Sequence, residues 1–127
     1  MRPMSEASFS RDLHDYLLRL NERMAFQVAC GGRLVFVLPF EDDATQRRLL
    51  ESEGADVELE GLLRIRRCFV MTFGAIDPEV RRATGLSMTD GVSSFENVFR
   101  RYWAQEYPDR ALSPATSLLV LLLERAE

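Results

Sequence analysis

The sequence predicts an α+β protein, a β-sheet with helices laid on one face. Three observations carry this. Two apolar runs, residues 25–30 and 33–38, flank Gly31-Gly32 and form a hairpin signal. Residues 93–106 place Phe95, Val98, Phe99, Tyr102 and Trp103 at helical spacing. Residues 115–124 end in an unbroken aliphatic run, as a central buried strand requires.

The elements follow in order. Residues 5–23 alternate charge and hydrophobe, with Phe9, Leu13, Tyr16, Leu17 and Leu20 on one face. They predict an amphipathic helix started by Ser8 or Ser10 and laid on a core or a partner. In the hairpin, Gly31-Gly32 supply the positive φ that primed turns need, and Pro39 ends the second strand. Residues 41–54 are polar and end in glycine, which suggests a short helix over 44–53 or a helical excursion within a loop. Residues 56–73 admit two readings. A strand pair needs a break at Gly61. A helix puts Leu59, Leu62, Leu63, Phe69, Val70 and Phe73 on one face and Glu60 one turn before Arg64. The helix is preferred because Gly74 stands where a stop belongs, with Gly61 costing about 1 kcal/mol. Asp77-Pro78 opens a new element, and residues 80–88, bounded by turn residues, read as a strand. Thr89-Asp90-Gly91 is a turn. The helix over 93–106 stops before Pro108. The order is then α-β-β-α-β-α-β.

At 127 residues the chain makes one domain with a real core. An apolar fraction of 46% with 28% charged residues fits an ordinary soluble domain. A net charge of −4 argues against nucleic-acid binding, and the arginine pairs at 47–48, 66–67, 81–82 and 100–101 read as solvated faces. All sixteen basic residues are arginine. Without lysine there is no imine-forming amine, no pyridoxal phosphate attachment and no P-loop. Asn occurs only at 21 and 97 and Ile only at 65 and 76, so the bias follows codons and points to a GC-rich genome. Residues 1–10 lack the apolar region of a signal peptide, and the run 118–123 is too short to span a bilayer. The expectation is a cytoplasmic protein with Cys30 and Cys68 as free thiols, no membrane partner and no nucleic-acid partner. His14 is the only histidine, so a site of several histidine ligands is impossible.

Five segments together resemble a known family. They are residues 29–37 (Ala-Cys-Gly-Gly-Arg-Leu-Val-Phe-Val), the predicted helix 57–73 with Gly74-Ala75, and residues 77–90 with Asp77-Pro78-Glu79-Val80 and Leu86 through Asp90. The others are Phe95, Phe99 and Tyr102 with Tyr107-Pro108, and Pro114-Ala115-Thr116 with Val120. In order and spacing they are similar to the RidA (YjgF-type) family of small trimeric proteins, which includes enamine/imine deaminases. The resemblance implies a β-β-α-β-α-β sandwich like that of chorismate mutase over residues 25–127. Residues 1–24 would form an added amphipathic helical extension.

The resemblance also implies a homotrimer with a ligand cleft between subunits. The chain departs from the family's pattern where deaminase chemistry resides. The arginine of Pro-Ala-Arg, which forks the substrate carboxylate, is Thr116 here. The family's Ser-Gly-Gln is Leu38-Pro39-Phe40, its N-terminal pocket tyrosine falls at Met24, and its late carboxylate would lie beyond Glu127. The expected ligand-binding residues are therefore Thr116, Arg33 and Cys30, with no metal and no cofactor and no catalytic residue assigned. Arg82 and Arg110 are further candidates for an anion contact. Trp103 and Tyr107 could reach a subunit interface. The expected function is the binding or transformation of a small, rather apolar metabolite, not ordinary deamination, so an enzymatic role stays open. The alternative is a non-catalytic scaffold that docks a partner through helix 5–23.

Overall fold

The computed structural model describes residues 11, 14–20, 25–59, 61–85, 88–89 and 92–126. It is an α+β fold. Helical residues 14–19 (α1) precede β1 (Phe26–Cys30), β2 (Arg33–Pro39), α2 (Ala44–Leu50), β3 (Asp56–Glu58) and β4 (Leu62–Thr72). Then come α3 (Pro78–Thr84), β5 (Met88–Thr89), β6 (Val92–Ser93), α4 (Ser94–Glu106) and β7 (Ser117–Arg125). One antiparallel sheet has the strand order β1-β2-β7-β4-β3, and β5-β6 form a separate small ribbon. The β1-β2 hairpin turns at Gly31 and Gly32, with φ of 60° and 79°, as two apolar runs around Gly-Gly predict.

The last strand takes the central position. β7 pairs β2 on one side and β4 on the other, and Leu118 through Leu123 are all buried. Its side chains alternate between two cores. Leu119, Leu121 and Leu123 join Leu17, Leu20, Phe36, Leu49 and Ile65 on one face. Leu118, Val120 and Leu122 join Val35, Val80, Phe95, Phe99 and Trp103 on the other. Helices therefore cover both faces: α1 and α2 one, α3 and α4 the other. The expectation of helices on one face is corrected. A strand with no polar alternation needs two apolar coverings, because both of its sides leave water.

Residues 56–73 are not a helix. They form β3 and β4, joined through Gly61 at φ 127°, where any side chain would be strained. The supposed helical face does not hold, since Leu59 and Phe73 lie in different cores and Leu62 and Val70 are exposed, and a bulge between Ile65 and Arg67 breaks the strand alternation that would have marked β4. One extra residue puts Ile65 and Cys68 in the same core, three positions apart, which imitates helical spacing. The expected strand over 80–88 is likewise corrected. Residues 78–84 are α3, capped by the Asp77 carboxylate accepting from the Glu79 N–H at 2.8 Å, and ended by Gly85 in the left-handed region. Pro78 opens it with the φ a first helical turn wants. Of the described residues of that stretch Met88 alone is strand, the first residue of β5. The observed order, β-β-α-β-β-α-β-β-α-β after α1, thus differs from β-β-α-β-α-β.

The helix over 44–53 and the helix over 93–106 are present as α2 and α4. Of the helix expected over 5–23, residues 14–19 are helical. Phe9, Leu13 and Met24 lie outside the described residues. Leu17 and Leu20 are fully buried in the core of this chain. The His14 Nε2 donates to the Glu58 carbonyl at 2.7 Å, which ties α1 to β3.

β3 is short and pairs only residues 62–64 of β4. Beyond it, the Cys68 N–H donates to the Glu53 carboxylate at 3.1 Å, and the Thr72 carbonyl accepts from the Ala75 N–H at 3.0 Å. Burial, then the nearby Glu53 carboxylate, pushes the Cys68 thiol up to about 12, so it is an inert core side chain. Cys30 and Cys68 are both free thiols.

Several arginines read as solvated hold the layers together. Arg66 and Arg67 on β4 both grip Glu79 of α3, at 2.9 and 2.7 Å. Arg81 forks Glu96 with two bonds of 2.8 and 2.6 Å, joining α3 to α4. The Arg67 hydrogen bond, with Arg66 behind it, holds the Glu79 carboxyl below its usual range. A depressed folded value stabilises the fold above the unfolded value near 4.5, and that contribution is lost as pH falls through the folded value. The variant Glu79→Gln is therefore expected to lose stability at neutral pH. Its unfolding midpoint should also fall less between pH 5 and about pH 3 than that of the parent chain. Parallel curves in denaturant titrations at the two pH values would refute this.

Candidate functional site

The sheet has two ends, and they divide the expected site. Thr116 precedes β7 at the end where Pro39, Phe40 and Phe73 lie: the Phe40 N–H donates to the Ser117 carbonyl and the Phe73 N–H to the Thr116 carbonyl. Arg33 pairs with Glu124 at the other end of β7. Eight residues of strand put Thr116 roughly 26 Å from Arg33 and Cys30 within one chain. The structure therefore brings Arg33 and Cys30 together and leaves Thr116 apart.

Thr116 is engaged in its own turn. Its Oγ1 accepts from the Ser113 N–H at 2.9 Å and lies 3.4 Å from the Ser113 hydroxyl. Its N–H returns to the Ser113 carbonyl at 3.0 Å. This is a hydroxyl-held turn before a strand. It seats Pro114 against Gly74, where a Cβ would stand 2.9 Å from the Pro114 carbonyl oxygen.

At the Arg33 end, a hollow of about 400 Å³ opens between the β1-β2 turn and the β3-β4 turn. Cys30, Arg33, Leu34, Leu59, Leu63 and Arg125 are among the residues that line it. Antiparallel pairing creates it. Arg125 stands opposite Leu63 on the leucine face of the sheet, whereas Arg33 stands opposite Glu124 on the other face, so two chain segments about ninety residues apart bring an arginine to the same end of the sheet from its two sides. Both arginines are exposed, and neither makes an ion pair among the described residues. Among the described residues six other arginines, 47, 64, 66, 67, 81 and 110, are held by carboxylates. Below the rim the wall is leucine, and Leu62 beside it is 50% exposed.

The chemistry of this lining is recognition. It offers an apolar wall with the permanently charged Arg125 on the same face and Arg33 at the edge, reaching in from the other face. No described lining residue is a histidine or carboxylate, so Cys30 has no base beside it in the hollow. Instead its sulfur lies close to Gly85, where an added Cβ would come within 3.2 Å. Among the described residues no group of three potential ligands could hold a metal ion, and no helix is long and apolar enough to cross a membrane.

Arg125 escaped sequence reasoning. Its signal exists only once β7 is paired with β2, because nothing near residue 125 marks it in the linear chain. Of the other candidates, Arg110 donates to Glu41 at 2.9 Å and covers the rings of Trp103 and Tyr107, while Arg82 is an exposed residue of α3. Trp103 is buried in the core. No protein-family model, no curated protein and no solved structure matches the chain.

Proposed function

We propose that the protein binds a small amphipathic anion, a carboxylate with an aliphatic body, in the hollow between the two hairpin turns. One observation carries this reading: Arg125, on the leucine face, and Arg33, at the edge from the opposite face, are exposed, make no ion pair among the described residues and both line an apolar hollow of about 400 Å³. That volume falls within the usual range for small-ligand sites. A guanidinium forks a carboxylate through two parallel hydrogen bonds, and Leu34, Leu59 and Leu63 remove an alkyl body from water. The lining supports binding over transformation, because it lacks a nucleophile–base pair.

The RidA resemblance does not support this site. Within two of its five segments, residues 62–72 are strand where it implies helix and residues 78–84 are helix where it implies strand, and Thr116 lies at the opposite end of the sheet. The hollow lies within one chain and needs no trimer. The alternative of partner docking through helix 5–23 loses its described apolar anchors, since Leu17 and Leu20 are already buried at home.

Titration calorimetry with octanoate and with octanol tests the proposal. Octanoate is expected to bind saturably and octanol at least ten-fold more weakly. Arg33→Gln and Arg125→Gln should each weaken octanoate about ten-fold, the scale of one lost charged hydrogen bond. Equal binding of the alcohol, or unchanged affinity in both variants, overturns it.

A further inference from the structure

A second hollow, of about 330 Å³, lies at the C-terminal end of α4, remote from the hairpin turns. It is built by the chain turning back on the helix. The Tyr107 N–H donates to the Trp103 carbonyl at 2.7 Å, and the Arg110 N–H donates to the Tyr107 carbonyl at 3.1 Å. The Arg110 carbonyl then accepts the Trp103 indole N–H at 2.8 Å, which locks the turn to the ring. This lock puts the Arg110 guanidinium 5.8 Å from the Trp103 ring centre and 5.7 Å from that of Tyr107. The two rings stand 4.8 Å apart at 44°, a bent aromatic wall. Arg100, one turn earlier on α4, extends its guanidinium over Phe73 and lines the same hollow. Ala104 and Leu112 complete an apolar floor.

No lining residue is acidic. Among the described residues the one carboxylate paired with these arginines is Glu41, which reaches Arg110 Nη1 from the rim at 2.9 Å, with both side chains about half exposed. That pairing engages one of the five N–H donors of Arg110. An exposed pair of this kind contributes little, so a better anion can share or displace it. Arg100 makes no ion pair among the described residues.

We infer that this hollow is a second binding site, taking a small aromatic carboxylate whose ring lies against the half-buried Tyr107, with the buried Trp103 behind it, while Arg100 and Arg110 hold its charge. The rings recognise a flat apolar body, and the two guanidiniums recognise a planar anion. A site built only for charge would not need the aromatic wall. A site built only for apolar contact would not place one cation over that wall and a second at its edge.

Trp103 is the only tryptophan of the chain, so its fluorescence reports this wall and no other. The test is a fluorescence titration at constant ionic strength with benzoate, cyclohexanecarboxylate and inorganic phosphate. Benzoate is expected to change the emission saturably and to bind at least ten-fold tighter than phosphate, with cyclohexanecarboxylate between them. The double variant Arg100→Gln/Arg110→Gln keeps every backbone bond of the turn and is expected to lose saturable binding. Its unchanged thermal midpoint would show that the wall is intact. Glu41→Gln is expected to tighten benzoate two- to five-fold by freeing Arg110. A linear, non-saturating response, equal binding of phosphate, or saturable binding retained by the double variant each overturns the proposal. Octanoate calorimetry at the hairpin hollow is unaffected by these substitutions, so the two proposals stand or fall separately.

Discussion

Replacing Phe99 with alanine is expected to lower the unfolding free energy by about 3–5 kcal/mol, the range for a large aromatic lost from a core. Phe99 is fully buried in the middle of α4 and touches five aromatic rings. Its centroid lies 5.2 Å from Phe26, 6.0 Å from Phe73, 5.7 Å from Phe95, 5.6 Å from Tyr102 and 5.9 Å from Trp103. These neighbours come from β1, the end of β4 and α4 itself, so the cavity cannot close without moving three elements. Phe99→Leu keeps most of the volume and should cost far less, about 1–1.5 kcal/mol. Urea titrations of both variants decide it. A loss below 1.5 kcal/mol for the alanine variant would mean that the aromatic layer repacks freely.

Gln46→Leu is expected to cost about 3 kcal/mol although it adds an apolar side chain to a buried position. Gln46 is 1% exposed and completes a turn that the backbone cannot satisfy alone. Its Oε1 accepts the N–H groups of Glu41 and Asp42 at 2.6 and 3.1 Å, and its Nε2 donates to the Pro39 carbonyl at 3.2 Å. Asp42 there has φ of 58°, rare for a residue with a side chain. Leucine would leave two part-buried donors and the buried Pro39 carbonyl without their side-chain partner, and that loss outweighs the gain in apolar area. Because the turn leads from β2 into α2, hydrogen exchange should rise first at Glu41 and Asp42. Unchanged exchange at those two amides would show that the turn holds itself.

The parts of the fold visible in the sequence were those with one dominant local signal. Gly31-Gly32 fixed the hairpin, the 95–99–103 spacing fixed α4, and the unbroken run at 118–123 fixed the central strand. That last reading already implied a second helical layer, because a strand apolar on both sides must be covered on both. β4 was hidden because its bulge inserts Arg66 and gives Ile65 and Cys68 a three-residue spacing. α3 was hidden by brevity: seven residues carry barely two turns, and Asp77, Pro78 and Gly85 mark its ends more clearly than its periodicity does. The site was half legible. Arg33 and Cys30 adjoin a turn that sequence can place, whereas Arg125 joins them only through strand pairing.

The outer side of β4 has a consequence for how these molecules coexist at high concentration. A bare strand edge invites a neighbouring molecule to add its own strand, and repeated addition grows a fibril. Here the invitation is withdrawn at both ends. The Glu53 carboxylate occupies the Cys68 N–H, so an incoming strand meets a negative charge. The Thr72–Ala75 bridge folds the chain's own backbone over the other end. Between them Val70, 40% exposed, is too short a landing place to template growth. Loss of the Glu53 carboxylate would therefore be felt less in the folding of one molecule than in the shelf life of a concentrated solution.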